Sequence, residues 1–199
     1  MAKRRVVGQS DVHALERGGA YENVVFDGLD VAKADLAECL FAECSFENVR
    51  FTNARLNAAT FRACNLSNAS FAGANLFSAR FEECKLLGAV FDEAKAVTAL
   101  AFRGCNLTYA SFRGLDLSHV EFKACLLVEA DLSLTNLTKA SFVDADVSNM
   151  SLREATFSQT DFRGATLAGM NLKRDDLRGI IITRKQFADL AHEIGITVA

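Results

Sequence analysis

The side chains able to do nucleophilic or metal chemistry in this chain are Cys39, Cys44, Cys64, Cys84, Cys105, Cys125, His13, His119 and His192. A zinc or dithiol site needs ligands at short, defined spacings such as C-x-x-C or paired Cys and His, and none occurs here. Each cysteine instead stands two residues before a Phe or a Leu, a position otherwise held mostly by alanine. Two readings are open, packing as a small buried hydrophobe or redox and metal chemistry, and the placement favours packing. The histidines have no Cys or carboxylate partner at a spacing that builds a site. No phosphate loop, dinucleotide-binding glycine pattern or nucleophile elbow is present. The expectation is a chain with no catalytic residues, no metal and no cofactor.

What positions the cysteines is a five-residue rhythm. From Phe26 a large apolar residue recurs at every fifth position through Phe46, Phe61 and Phe81 to Phe91, then resumes one residue out of phase at Phe102 and runs to Leu177. All of these centres are Phe or Leu except Val31 and Val147, and of the sixteen Phe only Phe77 and Phe187 fall elsewhere. A helix cannot use this pattern. At about 100° per residue a five-residue step turns roughly 140°, which scatters the centres around the cylinder. A strand of period two fails over five residues as well. The rhythm demands a coil with a corner every five residues.

Segments such as Ala69-Ser70-Phe71, Ala74-Asn75-Leu76, Ala130-Asp131-Leu132 and Ala165-Thr166-Leu167 resemble the A(D/N)LXX consensus of the pentapeptide-repeat family, over roughly residues 24 to 182. The resemblance implies an all-β fold, a right-handed quadrilateral β-solenoid in which four units close one turn. Centres and preceding small residues then point inward, and residues twenty apart stack in ladders. Stacked coils at about 4.8 Å give a rod of roughly 40 Å. In such a column Cys44, Cys64 and Cys84 are near enough that Cα spacing alone does not exclude a disulfide.

Three divisions are expected: a polar lead-in at 1–20, the solenoid at 21–182 with a phase break at 92–101, and a helix with an apolar tail at 183–199. The break leaves two readings, a tolerated insertion or a protruding contact for a partner. At the C-terminus Thr183 and Gln186 make a capping box, and Phe187, Leu190, Ala191 and Ile194 follow helical spacing, with Ile196 and Val198 beyond. This stripe either caps the last coil or joins a second copy in a two-fold dimer. The dimer reading leans on similarity to the quinolone-resistance group of the family.

That resemblance implies binding to DNA gyrase and to topoisomerase IV, protecting the enzyme–DNA complex from poisons partly by DNA mimicry. The candidate contacts are Asp92, Glu93 and Lys95 at the break, and Asp116, Glu121, Asp131, Asp146, Asp161 and Asp176 just before the centres of the second half. Overall charge is a weak ally of mimicry. The chain carries net charge −3 from 22 basic and 25 acidic residues, whereas duplex DNA of this length carries more than about twenty charges. The competing reading is a protein-interaction scaffold with another partner. Direct nucleic-acid binding is not expected without a basic patch, and no membrane span or signal peptide is evident, so the expected location is the cytoplasm.

Overall fold

In a computed structural model, residues 5–170 and 179–193 are described. They form an all-β solenoid of parallel coils with one short C-terminal helix. Residues twenty apart pair side by side, as Val25 with Ser45, Asp30 with Arg50, and Asp35 with Arg55. The four-sided expectation holds. One face is extended enough to form a continuous parallel sheet of six strands, β2 (Ala20–Glu22), β4 (Leu40–Ala42), β5 (Thr60–Arg62), β6 (Arg80–Glu82), β7 (Ala101–Arg103) and β8 (Glu121–Lys123), in register throughout. A two-residue strand at Arg5–Val6, β1, pairs with β3 (Val24–Val25).

Each corner has a local cause. The residue two after a centre sits in the left-handed region, for example Asn48 at φ 59° and Asn68 at φ 56°. At most corners the centre's carbonyl then accepts from the amide three residues on, as Ala54 N–H to Phe51 O at 2.9 Å, which is the geometry of a type II turn. Asp or Asn just before a centre reinforces the corner by accepting from the amide two residues on. Asp116 does so with Ser118 and Asp146 with Ser148, both at 3.0 Å. The A(D/N)L signature is thus a record of corner geometry.

The described centres are buried, Leu152 and Phe157 only partly, and they stack. Phe41, Phe61, Phe81, Phe102, Phe122, Phe142 and Phe162 form one ladder of near-parallel rings with centroids 4.9–5.2 Å apart. Rings of neighbouring columns meet edge to face, as Phe71 and Phe81 do at 5.8 Å. Offset and edge-on contacts add to the apolar burial that holds the coils together.

Cysteine is explained by the same turns. After Phe41, Phe61, Phe81, Phe102 and Phe122 the turn hydrogen bond is missing, and the inward small residue there is Cys44, Cys64, Cys84, Cys105 or Cys125. The Cys64, Cys84 and Cys105 thiols donate to the carbonyl that the open corner one coil back leaves without its turn bond, as Cys84 Sγ to Phe61 O at 3.3 Å and Cys105 Sγ to Phe81 O at 3.3 Å, while Cys125 Sγ donates to Lys123 O at 3.5 Å. Thr160 makes the same reach across one coil with its hydroxyl on Leu137 O at 2.8 Å, a carbonyl that also accepts from Ala140 N–H at 2.9 Å. Alanine suffices where the turn closes on itself.

The ends are closed by features absent from the five-residue rhythm. A 3-10 helix at Gln9–Ala14 seats Val7 and Val12 against the first coil. Gln9 mimics a missing strand there, donating to Asp30 O at 2.7 Å and accepting from Asp30 N–H at 3.0 Å. At the other end α1 (Arg184–Glu193) is started by Thr183 and Gln186 bonding reciprocally. The Gln186 amide also donates to Phe162 O at 2.7 Å and Ala165 O at 2.8 Å. A single glutamine thus satisfies backbone groups of each end coil, groups that would otherwise form an open edge.

Candidate partner-binding surfaces

The phase break is a one-residue bulge on one face. Leu76 N–H still donates to Lys95 O at 3.0 Å, but Ser78 N–H reaches Thr98 O, one residue further than the rhythm requires. Val97 fills the missing centre and Leu100 the small inward position, both buried. Neither was legible as a centre, since the Phe/Leu count stops at Phe91 and restarts at Phe102. Ala96 is the extra residue, at φ 47°, and Ala99 takes the usual left-handed place at φ 58°. Asn75 pairs with Lys95 and Asp116 with Asn136, yet among the described residues no bridge joins Lys95 to Asp116. A groove of about 770 Å³ opens there, lined by Ala96, Val97, Thr98 and Ala99 opposite Leu115 and His119, with Arg80 and Arg103 at its rim. Phe77, 49% exposed, stands on the preceding coil of the same face.

At the break the three candidate residues differ in role. Asp92 is occupied inside the scaffold, accepting from Ser111 Oγ at 2.7 Å and from Arg113 N–H at 2.9 Å. Glu93 and Lys95 are exposed.

The acidic candidates of the second half do not converge. Successive units occupy successive faces, so Asp116, Glu121, Asp131 and Asp146 each lie on a different one, and among the described residues only Glu121 and Asp161 share a column, with Ser141 between them. Several are also neutralised. Glu121 pairs with Arg103 at 3.0 Å, Asp131 with Arg113 at 3.0 Å, and Asp161 with Arg163 at 2.6 Å. The Arg163 hydrogen bond holds the Asp161 carboxyl below its ordinary value. Further ion pairs run between coils, as Asp30 with Arg50, Asp35 with Arg55, and Arg62 with Glu82. Asp176 lies outside the described residues.

The helix stripe divides in two. Ala191 is buried and Leu190 packs against the solenoid core, so both serve the chain's own end. Phe187 is 55% exposed and is the part of the stripe offered outward. Ile194, Ile196 and Val198 lie outside the described residues.

Along the thiol column the electrostatic shifts alternate in direction. Hydrogen bonds to neighbouring thiols and burial hold the Cys44, Cys84 and Cys125 thiols well above their ordinary value, the same thiol–thiol hydrogen bonds lower Cys64 and Cys105, and burial raises Cys39. Among the described residues no three or more His, Cys, Asp or Glu converge as a metal cluster, and no helix is long and apolar enough to cross a membrane.

A coil of five-residue units with Phe/Leu ladders and Asx-reinforced corners is a pentapeptide-repeat solenoid. The chain belongs to that family, whose repeat-region model matches residues 18–91, 64–132 and 117–190. Among solved structures it is similar to a trypsin-treated variant of QnrB1, a plasmid-mediated fluoroquinolone resistance protein, with TM-score 0.85 and 24% identity over 92% of this chain and 91% of that one. A second trypsin-treated variant gives TM-score 0.69 and 25% identity over 98% and 95%, and the full-length protein 0.67 and 24% over 96% and 95%. No curated protein matches the sequence.

Proposed function

We propose that this chain is a non-catalytic, cytoplasmic partner of DNA gyrase, with topoisomerase IV as a second candidate, that protects the enzyme–DNA complex from poisons. The observation that carries the reading is a fold shared over nearly the whole of both chains with a fluoroquinolone resistance protein. A homodimer formed through Phe187 and the residues after it belongs to the same reading.

The mode of binding we infer is shape more than charge. Carboxylates spread over four faces and paired with arginine offer little of the field of a duplex. The broken face between Lys95 and Asp116, with exposed Phe77 beside it, is the surface feature that departs from the repeat, and interruptions of repeat scaffolds are common recognition points.

A specific observation favours the second reading, a scaffold for some other protein: the same inter-coil ion pairs leave a surface close to neutral. Immobilised gyrase, with and without cleaved DNA, tests the choice. Saturable binding of the purified chain at micromolar concentration or below supports the topoisomerase reading. No binding to either form favours the scaffold.

A further inference from the structure

Every cysteine except Cys39 belongs to one internal column. Cys44, Cys64, Cys84, Cys105 and Cys125 each precede a residue bridged to its counterpart in the next coil, Ser45 to Asn65, Asn65 to Lys85, Lys85 to Asn106, and Asn106 to Leu126. The thiols are therefore in register, and each is at most 2% exposed. The adjoining Phe ladder measures the step between coils directly, with centroids 4.9 Å apart from Phe41 to Phe61 and from Phe61 to Phe81, and 5.1 Å from Phe81 to Phe102.

We propose that this column is a binding site for a soft divalent metal ion of the mercuric class, held linearly between the sulfurs of successive cysteines. Length is the first argument. Two metal–thiolate bonds of about 2.3 Å placed end to end span about 4.6 Å, close to the step between coils. An ion between two in-register sulfurs asks for little movement of the backbone.

Coordination number is the second. The column supplies one sulfur above and one below, and no third ligand converges among the described residues. Zinc completes a tetrahedron and is poorly served, whereas an ion content with two thiolates is satisfied. Charge is the third argument, because the site is walled by Phe and Leu. A divalent ion on two thiolates is neutral, while a monovalent ion would leave a net negative charge in an apolar interior. In the reaction two S–H bonds break, two sulfur–metal bonds form, and two protons leave to solvent for each ion bound.

Entry is easiest near the N-terminal end. Above Cys44 the column holds, among the described residues, only Val24, whose strand is covered by the two-residue strand Arg5–Val6. Lifting that short cap and displacing Val24 opens a path to the Cys44–Cys64 pair without opening the middle of the rod.

The test uses the full reduced chain and mercuric chloride, with retained metal measured after gel filtration in an excess of a competing monothiol and proton release measured in a separate titration without the monothiol. The Cys64→Ser/Cys105→Ser variant keeps Cys44, Cys84 and Cys125 but leaves no two of them in adjacent coils. The Cys44→Ser/Cys125→Ser variant removes as many thiols yet keeps adjacent pairs. Serine preserves a donor to the corner carbonyl, as Thr160 does. Expected results are retention by the wild type with two protons released per ion, retention by the second variant, and at least a tenfold loss in the first. Equal retention by both variants, or no retention by the wild type, overturns the proposal. Should the first variant fail to fold, proton release decides alone: one proton per ion marks adducts at separate thiols and equally overturns it.

Discussion

Asn68 and Gly88 show how one residue constrains another a full coil away. Both occupy left-handed corners, and a Cβ added at Gly88 would lie 2.7 Å from Asn68 Oδ1. At Gly114, also left-handed at φ 71°, an added Cβ would meet nothing within 4 Å. Gly114→Ala is therefore expected to cost about 1–2 kcal/mol from backbone strain alone, and Gly88→Ala more. The excess should fall when Asn68→Ala is combined with Gly88→Ala, a coupling of about 0.5–1 kcal/mol by a double-mutant cycle in urea. Strictly additive costs would show that the two corners do not touch.

Asp161 carries a pH signature at the same scale. Its folded pKa is depressed by Arg163, so its contribution to stability is present above the ordinary carboxylate value and is lost as pH falls through the lower folded value. Comparing Tm of wild type and Asp161→Asn across pH should give a constant gap above about pH 5 that narrows below about pH 4. A gap that widens in acid would contradict the pairing.

At the scale of elements, the bulge and the end caps make separate predictions. Deleting Ala96 restores the five-residue spacing from Phe91 through Val97 to Phe102, and should let Lys95 pair with Asp116. Tm is expected to hold or rise while binding to gyrase weakens, and a collapse in Tm would mean that the bulge is structurally required. At the C-terminal end, Gln186→Ala strips partners from Phe162 O and Ala165 O, and faster amide exchange in α1 and the last coil is expected, at a cost of about 1–3 kcal/mol.

The repeating elements were legible in the sequence because a five-residue side-chain period excludes helix and strand together and repeats along most of the chain. Cys44 and its column were legible as inward residues, but the reason for cysteine was not, since it depends on a turn hydrogen bond missing after Phe41 and its counterparts. The lead-in read as merely polar because its anchoring rests on Val7, Val12 and one Gln9 amide, too few residues to make a pattern. Val97 was hidden for the same reason at the bulge.

For the molecule as a whole, the candidate site was the least legible part. Asp116, Glu121, Asp131 and Asp146 line up in sequence as a regular acidic series, yet a repeat that advances one face per unit turns such a series into a spiral. Arginines twenty or so residues away then cancel part of it, as Arg103 does for Glu121. The charge of this rod is arranged to join its own coils. Binding dominated by shape should depend weakly on salt, whereas binding that copies duplex DNA should weaken steeply between about 50 and 200 mM salt.

The measurement that tests the central claim most directly is DNA supercoiling by purified gyrase, inhibited by a fluoroquinolone and titrated with the full chain. Supercoiling that returns in a dose-dependent way, with fewer drug-stabilised DNA breaks, is the result predicted here. Unchanged inhibition up to micromolar protein, with the chain folded and present, would contradict it.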